Sequence, residues 1–486
     1  MAKVFLLLSS PKRAVPVVSM LLSFMCTSGP PTPEVTNLKV ARPNIIYILV
    51  DDLGYGDLGV YGQEVISTPR LDQLATEGMV FTQHYAGAPV CAPSRASLMA
   101  GLHTGHTTIR GNLEIEPEGQ QPIPDSRITL AERLRDVGYE TAAIGKWGLG
   151  APDTEGVPTR QGFDYFFGYN CQREAHSYYP DHLWRNEEIV HLAANQDEAR
   201  GLYSHDLLID ETLGFIERTR DGPFFLYVPL TIPHAGLDVP EESMEPYRGR
   251  FKERASERQG RYISQPTPRT AFAGMVSRLD RDVGRIVDLV DELGLSEQTL
   301  IIFSSDNGPH QEGGADPHFF NSSGGLRGFK LDLYEGGIRV PMIARWTGAV
   351  SAGTVNKHVS AFWDVTPTLL DLAGVMTPDD LDGISFLPTL RGETQEQHKY
   401  LYWEFHPSVY HEQVWKQAIR MGDWKGVRFS RKEKGDDRIE LYNLVLDPSE
   451  TRNVASEHPN IVDEMATHMS NAHVPSTLFP YPEESR

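Results

Sequence analysis

Residues 43–52 read Pro43-Asn-Ile-Ile-Tyr-Ile-Leu-Val50-Asp51-Asp52, an unbroken apolar run that stops at two carboxylates. Strict alternation would mark a strand with one wet face. A continuous run instead marks one buried on both faces, as in a parallel sheet covered by helices. A glycine-rich turn follows (Gly54, Gly56, Gly59), so the carboxylates stand at the carboxyl end of a central strand, where open α/β sheets bind ligands. The pattern recurs. Tyr139–Ile144 runs into Gly145-Lys146-Trp147-Gly148, Pro223–Pro229 is followed by His234, and Thr299–Ser305 delivers Asp306-Asn307-Gly308. Four strand-like runs thus each end at a polar group. Between them, Leu71–Glu77, Thr129–Val137, Leu202–Thr219 and Ala271–Leu293 read as helices. In the last, Met275, Leu279, Val283, Ile286 and Val290 recur at steps of three or four. The expected architecture is α/β, a large, mostly parallel sheet flanked by helices.

Paired carboxylates repel one another and need a cation or solvent. Asp51, Asp52, Asp306 and Asn307 would supply hard oxygen ligands from two neighbouring strands. The sequence has no dense His/Cys cluster of the kind a structural zinc site needs. Elsewhere, Cys91-Ala-Pro-Ser-Arg95 leads through small helix formers to Gly101, which predicts a loop ending at a helix N-terminus near Ser94. Helix N-termini stabilise anions through unpaired N–H groups, and the Arg95 guanidinium offers a fork of donors suited to a tetrahedral oxyanion. On those residues alone, a nucleophile beside an anion site and a buried structural thiol stand level.

Of 486 residues, 40% are hydrophobic and 23% charged, ample for a large core. The formal net charge of -21 argues against a nucleic-acid partner, since phosphate backbones are bound by excess Lys and Arg. It leaves room for a local cationic pocket. Three cysteines, Cys26, Cys91 and Cys171, are too few for a disulfide framework, although a Cys91–Cys171 bridge stays open. Lys3, Lys12 and Arg13 precede an apolar run, Ala14–Met25, of the length of a secretory h-region. Residues 1–30 are therefore expected to be a signal peptide, with the mature chain starting within Gly29–Pro33 and exported to a periplasmic or extracellular space. Bulky Phe24 and Met25 disfavour a lipid anchor at Cys26. No later stretch is long and apolar enough for a stable membrane span.

Residues 150–200, rich in aromatics, are expected to form an excursion that shapes a pocket rather than core. Arg250–Arg269 reads as an exposed loop, and Gly313–Gly337 as a long loop carrying His318, Arg327, Lys330 and Glu335. Ile338–Trp346 reads as a strand and Trp363–Ala373 as a helix. Beyond about residue 390, Tyr400–Phe405, Gln413–Met421, Trp424–Phe429 and Arg438–Leu444 read as short antiparallel strands, followed by a helix at Asn460–His468. The expected division is a large α/β domain over 31–395 and a smaller α+β subdomain over 396–486.

Taken together, Cys91-Ala-Pro-Ser-Arg95…Gly101, Gly145-Lys146-Trp147, Asp306-Asn307-Gly308 and Tyr334-Glu335-Gly336-Gly337…Arg339-Val340-Pro341 resemble the type I sulfatases, the arylsulfatase-like branch of the alkaline-phosphatase-like fold. The resemblance runs from Pro43 to the C-terminal region. It implies hydrolysis of sulfate esters, with Cys91 oxidised to formylglycine by a maturation enzyme. One hydroxyl of the aldehyde hydrate attacks sulfur, and loss of the second hydroxyl's proton then releases sulfate. It implies Ca²⁺ held by Asp51, Asp52, Asp306, Asn307 and modified Cys91. It gives Arg95 and Lys146 to the formylglycine, and His234 and Lys330 to the sulfate and the leaving oxygen. Many relatives carry histidine two residues after this lysine, where this chain has Gly148. His106, His176 and His310 are the candidate replacements. His176, Tyr178, His310 and His406 are candidate contacts to a sulfated carbohydrate, weakly of galactose or N-acetylgalactosamine type, attacked from the chain end. A phosphate or phosphonate monoester hydrolase and a silent glycan-binding protein are the alternatives. The sequence leaves the oligomeric state open.

Overall fold

The computed structural model describes residues 42–260, 262–407, 414–431 and 437–481. The leader expected over 1–30, with Cys26, and the first residue of the strand expected at Gln413 lie outside them.

In chain order the large sheet takes β1 (Asn44–Val50), β2 (Met79–Tyr85), β3 (Glu140–Lys146), β4 (Tyr165–Tyr169), β5 (His182–Arg185), β6 (Glu188–His191), β7 (Phe224–Pro229), β8 (Thr299–Ser305), β9 (Arg339–Arg345), β10 (Thr354–Asn356) and β11 (Ser360–Ala361). Its order is β10-β2-β9-β8-β1-β7-β3-β4-β5-β6, with β11 also paired to β2. At the centre β8, β1, β7, β3 and β4 are mutually parallel, so their carboxyl ends share one rim. β9 runs antiparallel between β2 and β8, and β5 and β6 close the far edge antiparallel. The sheet is mixed but mostly parallel, as expected.

The apolar run of β1 is explained by its two covered faces. Ile46, Ile48 and Val50 pack in one core with Leu74, Leu208, Leu279 and Val283 from helices Pro69–Glu77, Ser204–Thr219 and Pro268–Glu292. Ile45, Tyr47 and Leu49 pack in the other with Leu98, Leu130, Leu134 and Leu369 from helices Cys91–Ala100, Leu130–Asp136 and Val365–Leu372. The Pro268–Glu292 helix buries Met275, Leu279, Val283, Ile286 and Val290 completely, each worth about 1.5–3 kcal/mol relative to exposure.

A second sheet joins β12 (Leu401–Phe405), β13 (Val414–Met421), β14 (Trp424–Arg431) and β15 (Glu440–Asn443) in antiparallel order. Helix Pro459–Ala472 covers one face through Met465 and Met469, packed with Ile419 and Leu441. The other face, with Trp403, Ala418 and Val427, packs in one cluster with Tyr85, Trp363 and Cys91. The boundary expected at 395/396 falls in coil between helix Leu387–Leu390 and β12.

Three expectations are corrected. The helix behind Cys91 begins at Cys91 itself, not near Ser94, so residue 91 stands in the first turn. The 150–200 stretch is no mere pocket wall. It contributes β4–β6 to the large sheet, and Phe167, Tyr169, Tyr178 and Leu183 are core. Runs bearing Gly168 and Tyr169 beside small β3 residues pack as strand even without a long apolar signature. Arg250–Arg269 is only partly an exposed loop: Ser256 bridges Gln265 and Gln259 bridges Tyr262, turning Tyr262 inward.

Candidate active site

The rim of the parallel sheet gathers the polar strand ends. Asp51 and Asp52 follow β1, Asp306 and Asn307 follow β8, His234 follows β7 and Lys146 ends β3. Asp52 takes a left-handed φ of 64°, a conformation side-chain-bearing residues adopt reluctantly. The turn lets the Asp52 N–H donate to Asp306 Oδ1 at 3.1 Å while its carboxylate meets Asn307 Nδ2 at 2.6 Å. Gly308 keeps this corner closed: a Cβ there would lie 1.9 Å from the Gly336 carbonyl oxygen, and its N–H donates to Gly337 at 2.9 Å. The double glycine of the Tyr334–Gly337 stretch has its own cause: a Cβ at Gly336 would lie 2.3 Å from the Gly328 carbonyl oxygen, and one at Gly337 2.0 Å from that of Asp332.

Each buried carboxylate is matched by a buried cation. Lys146 Nζ is 2.6 Å from Asp51 Oδ2, and Lys330 Nζ is 2.9 Å from Asp52 Oδ2. Arg95 holds Asp306 Oδ2 at 2.8 and 3.0 Å and donates to the Lys146 carbonyl at 2.5 Å. Burial opposes ionisation of Asp51, but Lys146, Arg95 and Lys330 together hold its carboxyl well below the usual range. Burial, reinforced by the Asp51 charge, pushes Asp306 upward. Asp51 Oδ1 and Asn307 Oδ1 are buried and accept no hydrogen bond. Buried acceptors of this kind are normally satisfied. Two orphaned hard oxygens among carboxylates suit Ca²⁺ or Mg²⁺ and not a soft-ligand metal. Cys91 shares the spot: one atom each from Asp51, Cys91 and Asp306 lie within 4.8 Å of one another.

His234 is buried and its Nδ1 faces the Ala235 carbonyl, which puts the ring proton there. Nε2 is then the acceptor, and Lys330 Nζ reaches it at 3.0 Å. Burial and the nearby Lys330 ammonium keep the imidazole neutral, well below its usual pKa. Although burial works against it, Asp52 and Glu312 keep Lys330 protonated, well above the usual lysine value. Of this pair the lysine therefore carries the charge.

The other expected residues are placed as follows. His176 stacks on His234 at 4.8 Å and 6° and lines a cleft of about 510 Å³ with Arg173, Tyr179, Arg200 and Arg258. Tyr178 lines the same cleft. It is buried, and its hydroxyl is engaged with the Thr231 and His234 carbonyls at 2.9 and 2.7 Å, bracing the His234 loop. His310 is equally committed, with Nε2 on the Pro233 carbonyl at 3.1 Å and Nδ1 accepting from Glu312 N–H at 3.2 Å. His406 sets its ring nitrogens against the Pro480 and Pro407 carbonyls and packs on Trp415, part of the C-terminal framework. His106 is placed with Asp382. It follows the carboxyl end of the Cys91–Ala100 helix, and its Nδ1 lies 2.9 Å from Asp382 Oδ1. Cys91 and Cys171 are free thiols, so no bridge joins them.

Four residues at the site carried no signal in the sequence reading. Gln172 Oε1 accepts from Cys91 Sγ at 3.3 Å, and Asn112 Nδ2 lies 3.9 Å from the same sulfur. Glu312 and Tyr262 extend the Lys330 network, at 3.1 and 3.2 Å contacts respectively. Gln172 was detectable in principle, because it lies just past β4 as Lys146 ends β3.

The sulfatase family model matches residues 43–375, and that of the N-sulphoglucosamine sulphohydrolase C-terminal region matches 329–474. The chain is 33% identical over 397 residues to human (Homo sapiens) N-acetylgalactosamine-6-sulfatase, spanning 75% of this chain and 67% of that one. It is 32% identical over 485 residues to human arylsulfatase A, spanning 88% and 87%. The crystal structure of Ps i-CgsB in complex with k-i-k-neocarrahexaose superposes with a TM-score of 0.75 at 29% identity, covering 88% of this chain and 92% of that one.

Proposed function

The chain belongs to the sulfatase family, a family of sulfuric ester hydrolases, and from that premise we propose that it removes O-sulfate from the end of a sulfated carbohydrate of galactose or N-acetylgalactosamine type. The sugar class is supported by the relatives' names, N-acetylgalactosamine-6-sulfatase and a structure holding a neocarrahexaose. The observation that carries the reading is the convergence of Cys91 with Asp51 and Asp306 beside three buried cations.

In this reading Asp51, Asp52, Asp306 and Asn307 hold Ca²⁺, and Cys91 is the precursor of formylglycine. The two groups supply a geminal diol nucleophile and a Lewis acid for the sulfate oxygens. The orphaned oxygens of Asp51 and Asn307 are the fit for the cation. The Cys91 sulfur marks where the diol oxygens would stand. Arg95 fixes Asp306 and, through the Lys146 carbonyl, the end of β3. Lys146 and Lys330 place positive charge on two sides of the sulfate position, where charge grows during transfer. Lys330 also holds the proton that a sugar alkoxide needs on leaving, and His234 Nε2 orients that ammonium. The domain division at 395/396 and export through a cleaved leader belong to the same proposal. Among the described residues no helix is long and apolar enough to cross a membrane.

The test pairs peptide mass over Cys91, from protein made with a maturation enzyme, with a panel of sulfated mono- and oligosaccharides. The expected result is an aldehyde or its hydrate at residue 91 and sulfate release from galactose-type substrates. Activity confined to phosphate or phosphonate esters, or an unmodified thiol in protein from the native host, overturns the reading.

A further inference from the structure

A side chain at position 148 and Gln172 in its present place would collide. Gly148 has φ +75°, and a Cβ there would lie 2.8 Å from Gln172 Cγ and 2.9 Å from Nε2. The two positions are held side by side by the parallel β3–β4 ladder, in which Lys146 pairs with Tyr169, and by the Gly148 N–H bond to the Asn170 carbonyl at 3.0 Å. A bare backbone at 148 is therefore what admits the glutamine.

Once admitted, the amide is not used for packing alone. Gln172 is only 4% exposed. Its Oε1 accepts from the Cys91 side chain at 3.3 Å, and its backbone N–H contacts Gln120 Oε1 at 3.4 Å. Its Nε2 is buried and has no hydrogen-bond partner. A buried NH₂ left unpaired costs about 1–3 kcal/mol, so its retention points to a partner that arrives with the ligand. Lys146 and Lys330 act electrostatically on Cys91, the residue that Gln172 touches, and two ammonium groups there favour an anionic ligand.

We propose that Gln172 is a catalytic residue of this site: Oε1 orients the reacting side chain at position 91, and Nε2 donates to an oxygen of the bound sulfate group. The inference rests on the sulfatase reading. It adds that the group touching residue 91 from this side is an amide, which neither gains nor loses a proton across the working pH range. Gln172 orients and binds, and does not act as a base.

The experiment uses full-length protein with residue 91 conversion verified by peptide mass in every variant. Inorganic sulfate is the binding probe, read as a sulfate-dependent rise in melting temperature, alongside turnover of the best sulfate ester. Gln172→Ala is expected to lose about tenfold or more in kcat, the effect of one hydrogen bond to a charged group, and most of the sulfate-induced shift. Gln172→Glu keeps the shape, repels the anion and is expected to abolish the shift. Gly148→Ala should impair turnover with Gln172 present and cost far less in the Gln172→Ala background. Wild-type turnover and sulfate shift in Gln172→Ala, or additive effects of the two substitutions, overturn the proposal. If matured wild type hydrolyses no sulfate ester, the sulfatase reading fails. The sulfate shifts then still judge Gln172 separately.

Discussion

Arg95 grips Asp306 Oδ2 through Nε at 3.0 Å and a terminal nitrogen at 2.8 Å, and neither side chain is exposed. The guanidinium thus neutralises one oxygen of Asp306 and leaves the carboxylate's orientation fixed. Removing one partner of a buried pair strands the other, at a cost of about 3–5 kcal/mol. Arg95→Ala is expected to lower the free energy of unfolding measured in urea by that amount and to eliminate turnover. Arg95→Lys, which keeps the charge but not the fork, should recover much of the stability and little of the turnover. Equal recovery of both would show that charge alone matters.

Removal of divalent cations tests the orphaned oxygens of Asp51 and Asn307. A cation that binds only the folded chain stabilises it by about 2.7 kcal/mol when its free concentration is a hundred times Kd. Ca²⁺ added to chelator-treated protein is therefore expected to raise the melting temperature, and Asn307→Ala to abolish most of that rise. Asn307→Asp, with the same oxygen and an added charge, should retain it. A melting temperature indifferent to Ca²⁺ in wild type would remove the cation from the site.

The brace under His234 makes a milder prediction. The Tyr178 hydroxyl donates within reach of the Thr231 and His234 carbonyls, at 2.9 and 2.7 Å. Tyr178→Phe keeps the ring in the core and deletes only this bond, for about 1 kcal/mol of stability. Because the freed carbonyl belongs to residue 234, kcat should fall several-fold while KM for the sulfated sugar changes little. A large rise in KM with kcat unchanged would instead make Tyr178 the substrate contact read from the sequence.

The centre of the fold and the centre of the site were both readable because they share one cause. β1, β7 and β8 are buried on both faces, so each reads as a largely apolar block, and polar residues that follow each block are carried to the rim. Asp51, His234 and Asp306 stand out on that ground. β4 escaped because Tyr165–Tyr169 carries a glycine in register with Gly145, an intimate backbone approach that leaves no apolar pattern. With β4 went Gln172, although it stands just beyond that strand's end as Asp52 stands beyond β1. Glu312 and Tyr262 were illegible for another reason. They come from loops whose course depends on long-range contacts, such as Tyr262 Oη donating to Glu312 at 3.2 Å, and no local period encodes those. His310 and His406, candidate substrate contacts on the sequence, set ring nitrogens against backbone carbonyls that only the folded chain reveals.

His182 provides a pH test away from the site. Its Nε2 meets Glu118 Oε2 at 3.1 Å and its Nδ1 meets Asp181 Oδ1 at 2.6 Å, while Trp184 Nε1 donates to the other Glu118 oxygen at 2.7 Å. The Glu118 hydrogen bond, with Asp181 adding to it against partial burial, lifts the imidazole to about 9. An unfolded histidine titrates near 6.5. The folded chain therefore holds this proton more tightly, and the resulting stability is fully present below about pH 6.5 and is lost as pH rises through about 9. Solvent at the rim of the β5–β6 hairpin screens the charges, so the contribution is about 1 kcal/mol rather than the larger figure the shift alone would give. His182→Gln is expected to melt below wild type at pH 6 and to converge on it by pH 10. Sulfatase turnover, referred to each protein's own folded fraction, should be unaffected at both. A gap that is the same at both pH values would mean that His182 contributes by packing against Trp184 and not by charge.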